Sequence, residues 1–209
     1  MFGPPGAGKG TQAQSLVQKY HYYQLSTGDL LRNEIQSKSD IGNQISEIIG
    51  RGEFVSDDIV DNLIQKIIIN KKYMNKIIFD GYPRNIDQAK SLDKMLNANN
   101  LKIGAVIFLN VKRNDIIKRI EGRVICNKCF ATFNKFANAS EITNHLCGSG
   151  NVIKRSDDNA KTIIRRFDNY MDITKPVLEY YSSNPNFIEI DGSLKINEIS
   201  SKINNILKV

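Results

Sequence analysis

Short apolar runs alternate along the chain with longer segments in which apolar residues recur every three or four positions. The apolar runs 22–25, 76–79, 105–111 and 187–190 predict buried strands. The periodic segments predict helices over 12–19, 30–37, 41–49, 57–71, 85–97, 114–122, 159–184 (interrupted at Pro176) and 195–207. Strands that alternate with helices predict an α/β fold with a parallel sheet.

Composition sets the class of protein. A chain of 209 residues with 41% hydrophobic and 24% charged residues is typical of one globular domain, or one core with insertions. It shows neither a signal peptide nor an apolar run long enough for a bilayer. Its three cysteines fall in one short segment, which indicates a metal site rather than disulfides, so we expect a reducing, cytoplasmic setting. The net charge of +7 favours polyanionic substrates. Because the positive charges form no block, we do not expect nucleic-acid binding.

The most specific local pattern is the segment GPPGAGKGT over residues 3–11, directly before the first predicted helix. Its G-x4-G-K spacing is typical of a phosphate-binding loop, in which glycines turn backbone N–H groups toward a phosphate. Lys9 would reach the β- and γ-phosphates. The pattern departs from the usual one because Gly10 follows the lysine and the hydroxyl comes at Thr11. The alternative is a glycine-rich turn without function.

The strand that should precede this loop is short. A strand of about five residues is usual before such a loop, but only Met1 and Phe2 are available. We therefore expect further strand residues upstream of Met1.

Three further segments contain short motifs that, together with the phosphate loop, resemble those of a known protein family. They are STGDLLR at 26–32, FDGYPR at 79–84, and RSDD at 155–158, which leads to Arg165 and Arg166. With the phosphate loop, they resemble in order and separation the adenylate kinase family of the long-lid bacterial kind, over residues 2–209. The resemblance implies a P-loop nucleoside monophosphate kinase fold: a five-stranded parallel sheet flanked by helices, with an AMP-binding lobe and a lid. The implied domains are a core (1–25, 56–121 and 159–209), a monophosphate-binding lobe (26–55) and a lid (122–158).

The activity implied by the resemblance is reversible transfer of the γ-phosphate of MgATP to AMP, giving two ADP, in nucleotide homeostasis. It implies Mg²⁺ as cofactor, ATP, AMP and ADP as ligands, no nucleic acid or membrane partner, and a monomer. A UMP/CMP kinase is an alternative, disfavoured by Thr27 and by the long cysteine-bearing lid. A GTP-preferring donor site and a zinc-containing nucleotide-binding module without turnover also stay open.

The resemblance also assigns site residues. For the donor ATP they are Gly6, Ala7, Gly8, Lys9, Gly10, Thr11, Arg119, Arg123, Thr132, Phe133 and Leu194. For AMP they are Thr27, Arg32, Glu53, Phe54, Val55, Gly81, Tyr82, Pro83, Arg84, Gln88, Arg155 and Arg166, with Gln88 reading the base edge. The catalytic groups are Lys9, Asp80, Arg84, Arg123, Arg155 and Arg166, with Asp80 as ligand of a magnesium-bound water. Arginine side chains can bind the many phosphate oxygens of two nucleotides through paired hydrogen bonds. Because the acceptor phosphate attacks directly, the protein needs no nucleophile, and catalysis is positioning and electrostatics.

The three cysteines lie together in an irregular segment, 124–156, that lacks periodicity. Cys126-x2-Cys129 followed by Cys147 indicates most of a structural zinc site. Members of the family often have a second C-x2-C or C-x2-D pair, but here Gly150 stands where the fourth ligand would fall. His145 is the candidate replacement. The alternative is a lid that binds no metal and keeps its thiols.

Overall fold

The computed structural model describes residues 1–37, 40–51, 55–129, 131–155 and 158–209. The strands within these ranges are β1 Tyr23–Ser26, β2 Ile77–Asp80, β3 Val106–Asn110, β4 Arg123–Cys126, β5 Thr132–Asn134, β6 Val152–Ile153 and β7 Phe187–Asp191. The α-helices are α1 Lys9–Tyr20, α2 Thr27–Gln36, α3 Asp40–Gly50, α4 Asp57–Ile68, α5 Ile86–Ala98, α6 Arg113–Glu121, α7 Ala139–Asn144, α8 Ala160–Asn169, α9 Pro176–Tyr180 and α10 Ile196–Leu207. The predicted α/β class is confirmed, and each predicted strand and helix is present with shifted ends.

The parallel strands come in two pairs, β1 with β2 and β3 with β7. Met1 and Phe2 lie between the pairs. The Met1 amino group donates to the Phe79 carbonyl at 2.7 Å, while Phe2 forms a parallel bridge to Phe108. The count of five full strands is therefore not confirmed within the described residues, because the central position holds two residues.

Parallel pairing brings the ends of the strands, and the residues that follow them, to one edge of the sheet. Ser26 stands opposite Asp80 at the ends of β1 and β2, and Asn110 opposite Asp191 at the ends of β3 and β7. Ligand sites of open parallel sheets lie at this edge. Ser26 also caps α2, since its side chain accepts from the Asp29 N–H at 3.3 Å. This cap starts the helix at Thr27, three residues before the predicted start.

Two apolar clusters hold the helices against the strands. One joins α1, α6, α10 and β3 through fully buried side chains: Ala13, Leu109, Ile116, Ile120 and Ile203. The other joins α4 and α5 to β1 through Leu25, Ile64, Ile68 and Leu92. Both clusters therefore pack on strands whose ends carry the polar groups described below. Among the helices of the described residues, none has the length and apolar character of a membrane span.

The helix predicted over 159–184 is divided. After α8, residues Tyr170–Thr174 form a π-helical turn, closed by the Lys175 N–H donating to the Tyr170 carbonyl at 2.8 Å. Pro176 then occupies the first position of α9. Proline fits there because the first helical N–H has no intrahelical partner to lose. The predicted interruption at Pro176 is thus a new helix start.

The segment 124–156, whose sequence pattern is irregular, forms regular elements in part of its described residues. Strand β4 lies between β5 and β6 in an antiparallel sheet, and α7 follows β5. Alternate residues of β4, Val124 and Cys126, are buried. The strands are only two to four residues long, too short for the alternation to stand out among Asn, Ser and Gly.

Matched isoleucines of α4 test the contribution of the second cluster. Ile64 is 0% exposed, and Ile69, the residue at the end of the helix, is 56% exposed. We expect Ile64→Ala to lower the free energy of unfolding by about 2–5 kcal/mol because it leaves a cavity. Ile69→Ala should change it by no more than about 0.5 kcal/mol. Urea unfolding followed by circular dichroism measures both, and equal losses would contradict the assignment of Ile64 to the core.

Candidate active site

A cavity of about 730 Å³ opens at the edge of the sheet where the parallel strands end, and residues of the phosphate loop line it. Gly6 and Gly8 have φ of 83° and 99°, a region that residues with a Cβ rarely adopt. A Cβ on Gly6 would also lie 2.8 Å from Ile120 Cγ1. The first turn of α1 begins at Lys9, so its N–H groups and the positive end of its dipole face the loop. The predicted loop therefore has the geometry of an anion site.

Lys9 is held inside this loop. Its ammonium group donates to the carbonyls of Gly3 at 2.7 Å and Pro4 at 3.1 Å. Burial lowers the pKa of Lys9 to about 8, although Asp80 opposes the shift. Repulsion from three arginines contributes to the lowered pKa: Arg84, Arg166 and Arg123. The loop, the end of β2 and three separate arginine-bearing segments thus act on one ammonium group.

Asp80 ends β2 and faces the phosphate loop, as predicted. Its Oδ2 accepts from Gln24 Nε2 at 2.8 Å. The nearest atom that a Cβ on Gly10 would meet is the same Oδ2, at 3.7 Å. Gln24 was missed in the sequence. The available signal was a polar residue within the short apolar strand 22–25.

On the acceptor side, Arg84 folds back on its own segment. Its Nε donates to the Gly81 carbonyl at 2.7 Å, and Nη2 donates to Thr27 Oγ1 at 3.0 Å. Thr27 Oγ1 donates in turn to the Gly81 carbonyl at 2.9 Å. Burial lowers the pKa of Arg84 to about 10, opposed by Asp80 and assisted by Arg32. Such partners hold the guanidinium group at the cavity wall.

Two further arginines are held by carboxylates and one by carbonyls. Arg123 pairs with the fully buried Asp158 through two hydrogen bonds, one of them Nε to Oδ2 at 2.7 Å. Arg32 pairs with Asp29 on α2. Arg119 donates to the Gly192 carbonyl at 2.6 Å and to the phosphate loop at Ala7 at 3.3 Å. Because these guanidinium groups all line the cavity, they form a wall of positive charge.

The predicted metal ligands are brought together. One ligand atom each of Cys126, Cys129, His145 and Cys147 lies within 4.8 Å of the others. His145 Nδ1 lies 2.9 Å from the Ile142 carbonyl, and its buried Nε2 has no hydrogen-bond partner among the residues that the structure describes. A histidine that donates one ring N–H to a carbonyl and offers the other nitrogen is typical of a zinc ligand. Three sulfurs and one imidazole nitrogen therefore fit a structural zinc ion.

The thiol chemistry agrees with this fit. Burial alone would raise the pKa of Cys126. Hydrogen bonds from the Cys129 and Lys128 backbones, together with the neighbouring His145 ring, outweigh it and lower the pKa to about 6. A thiolate is the form of cysteine that binds metal.

Comparisons with known proteins agree with the geometry. The model of the adenylate kinase family matches residues 1–186. The chain belongs to the adenylate kinase family. It is 56% identical over 209 residues to the adenylate kinase of Pelagibacter ubique, covering 100% of this chain and 98% of the relative. The adenylate kinases of Alkaliphilus oremlandii and Mycoplasma capricolum are each 39% identical, over 97% and 100% of this chain and 94% and 98% of their own lengths.

Most site residues suggested by the family resemblance line the cavity. From the set predicted for ATP these are Gly6, Ala7, Gly8, Lys9, Gly10, Thr11, Arg119, Arg123, Thr132, Phe133 and Leu194. The others are Arg32, Val55, Asp80, Gly81, Pro83, Arg84, Arg155 and Arg166. The other three are at most 3% exposed: Tyr82 belongs to the Gly81–Arg84 segment, Thr27 contacts Gly81, and Gln88 contacts Arg84. Glu53 and Phe54 lie outside the described residues.

The lowered pKa of Lys9 predicts a pH dependence for nucleotide binding. Well below its pKa of about 8 the ammonium group stays charged in the ligand-free protein. Above about pH 8 it loses a proton, which a bound phosphate would restore. We therefore expect the affinity for ATP to fall by about tenfold per pH unit above pH 8. Calorimetric titrations between pH 6.5 and 9.5 measure this. Lys9→Arg, whose charge persists throughout, should show no such fall, and a flat wild-type profile would contradict the prediction.

Proposed function

We propose that this chain catalyses reversible transfer of the γ-phosphoryl group of MgATP to AMP, giving two ADP. The observation that carries the proposal is the convergence of the phosphate loop and of arginines from separate segments on one cavity. One nucleotide needs only part of this charge, whereas two phosphate chains placed end to end need all of it. Membership of the adenylate kinase family supports the same conclusion.

The roles follow from the contacts. The N–H groups of the phosphate loop would hold the donor phosphates, while Lys9 exchanges the Gly3 and Pro4 carbonyls for phosphate oxygens. Arg32 and Arg84 would grip the AMP phosphate, and Arg123, Arg155 and Arg166 would neutralise the transferred group. The AMP phosphate attacks directly, so the protein supplies alignment and charge rather than a nucleophile.

Mg²⁺ would be held through water by Asp80, whose carboxylate Gln24 orients. When bound, the ion supplies positive charge to the donor phosphates. Residues 26–55 and 122–158 would form the monophosphate-binding lobe and the lid on a core of residues 1–25, 56–121 and 159–209. Together they would exclude water during transfer. The cytoplasmic location and the monomeric state stay predictions.

The first experiment measures ADP formation from MgATP with AMP, UMP, CMP or no acceptor, and then with GTP as donor. We expect turnover that is selective for AMP and for ATP. Lys9→Ala should lower kcat by about 100-fold or more because it removes charge stabilisation from the transferred group, with an unchanged circular dichroism spectrum. Preference for UMP or CMP would identify a pyrimidine kinase. Nucleotide binding by the wild type without turnover would support a binding module and contradict the proposal.

The same proposal includes a structural zinc ion held by Cys126, Cys129, His145 and Cys147. Support comes from the donor set and from His145 Nε2. We expect about one zinc ion per chain, measured by elemental analysis. His145→Ala should weaken zinc retention against a chelator by about tenfold or more, whereas His21→Asn, a change at the other histidine, should not. Equal retention by both variants would exclude His145 as the fourth ligand.

A further inference from the structure

Asp57, in the first turn of α4, accepts hydrogen bonds from two side-chain amides at the start of α5. Asn85 caps α5: its Oδ1 accepts the Gln88 backbone N–H at 2.8 Å. This contact fixes which end of the Asn85 amide is oxygen, because a backbone N–H can only donate. Asn85 Nδ2 therefore faces the Asp57 carboxylate, at 3.1 and 2.9 Å from its two oxygens.

The Gln88 carboxamide is held at both ends. Its Oε1 accepts the Arg84 backbone N–H at 2.7 Å, and its Nε2 donates to Asp57 Oδ1 at 2.6 Å. Reversing the amide would place its N–H groups against the Arg84 N–H and its oxygen against a carboxylate. Both partners have a single role, one only donating and the other only accepting. The orientation of Gln88 is therefore fixed before any ligand binds.

The fixed amide keeps limited hydrogen-bonding capacity. A carboxamide offers two lone pairs and two N–H groups, so these two contacts leave one of each. Gln88 is 3% exposed, and its amide contacts the backbone of Arg84, which lines the cavity. The remaining Oε1 lone pair and Nε2 N–H complement the edge of a base that presents an amino donor to Oε1 and a ring-nitrogen acceptor to Nε2. Adenine has this order, with its N6 amino group as donor. Hypoxanthine has the reverse, with an oxygen acceptor beside a ring N–H.

We propose that Asp57 is a specificity-determining residue, which selects a 6-aminopurine over a 6-oxopurine monophosphate by fixing the orientation of the Gln88 carboxamide. The proposal rests on the proposed function, in which Gln88 reads the acceptor base. Asp57 acts through Gln88 and is thus a positioning residue. An asparagine at this position could donate as well as accept, so only the Arg84 N–H would still oppose a reversed Gln88 amide.

The test compares kcat/KM for AMP and IMP, since hypoxanthine differs from adenine only in the reversed edge. We expect the wild type to favour AMP strongly. Asp57→Asn should lower the AMP-to-IMP ratio by about 10- to 100-fold, mainly through KM. Asp57→Glu, which stays acceptor-only, should keep more of the ratio. Asp58→Asn is the matched control: it removes the same charge from the same helical turn on an exposed side chain, and it should leave the ratio unchanged.

Each outcome decides the proposal. A folded Asp57→Asn variant with an unchanged ratio, or with equal losses for AMP and IMP, would overturn it and leave the proposed function intact. A wild type that uses IMP as well as AMP would overturn it even if no Asp57 variant folds. A wild type that forms no ADP with any acceptor would overturn the proposed function itself. A ratio that falls in Asp57→Asn and not in Asp58→Asn would support it.

Discussion

Repulsion among buried positive charges is the constraint on which the rest of the structure depends. Two like charges 4 Å apart interact by about 4 kcal/mol at an effective dielectric of 20, and Lys9 lies within the field of three arginines. The fold offsets this repulsion with acceptors of its own. Loop carbonyls hold Lys9 and Arg119, while Asp158 holds Arg123 and Asp29 holds Arg32. Each cation therefore has a defined position before phosphate arrives.

The same contacts explain why such a site can release its ligands. A phosphate must compete with existing partners for each cation, so part of the binding energy is spent on breaking protein contacts. For Arg123 the competitor is a bidentate carboxylate buried within the protein, and such pairs are among the stronger hydrogen-bonded contacts. A site of this kind favours ligands that engage several cations together. Under the proposed function, that condition is met when donor and acceptor are both bound.

Local patterns in the sequence predicted what local geometry determines. The phosphate loop follows from glycines that take positive φ, and the β2 and β3 strands follow from continuous apolar runs. Contacts between distant residues could not be predicted in this way. Gln24 meets Asp80 56 positions away, and Arg123 meets Asp158 35 positions away. Periodicity gives no information on either pair. Thr27, Tyr82 and Gln88 were assigned to the site by resemblance. In the structure all three are buried; Thr27 and Gln88 hydrogen-bond to Arg84, and Tyr82 donates to Asp61.

The segment with the weakest sequence pattern also has the smallest core. Its buried cluster consists of Val124, Cys126 and Phe133, which is too little apolar surface to hold three short strands by burial alone. A metal site is the usual supplement for so small a core. The spacing H-x-C places His145 beside Cys147, and the Ile142 carbonyl, near the end of α7, orients its ring. His145, directly after α7, lies close to the three sulfurs, and under the proposed zinc site it would take the place of the absent second C-x2-C pair.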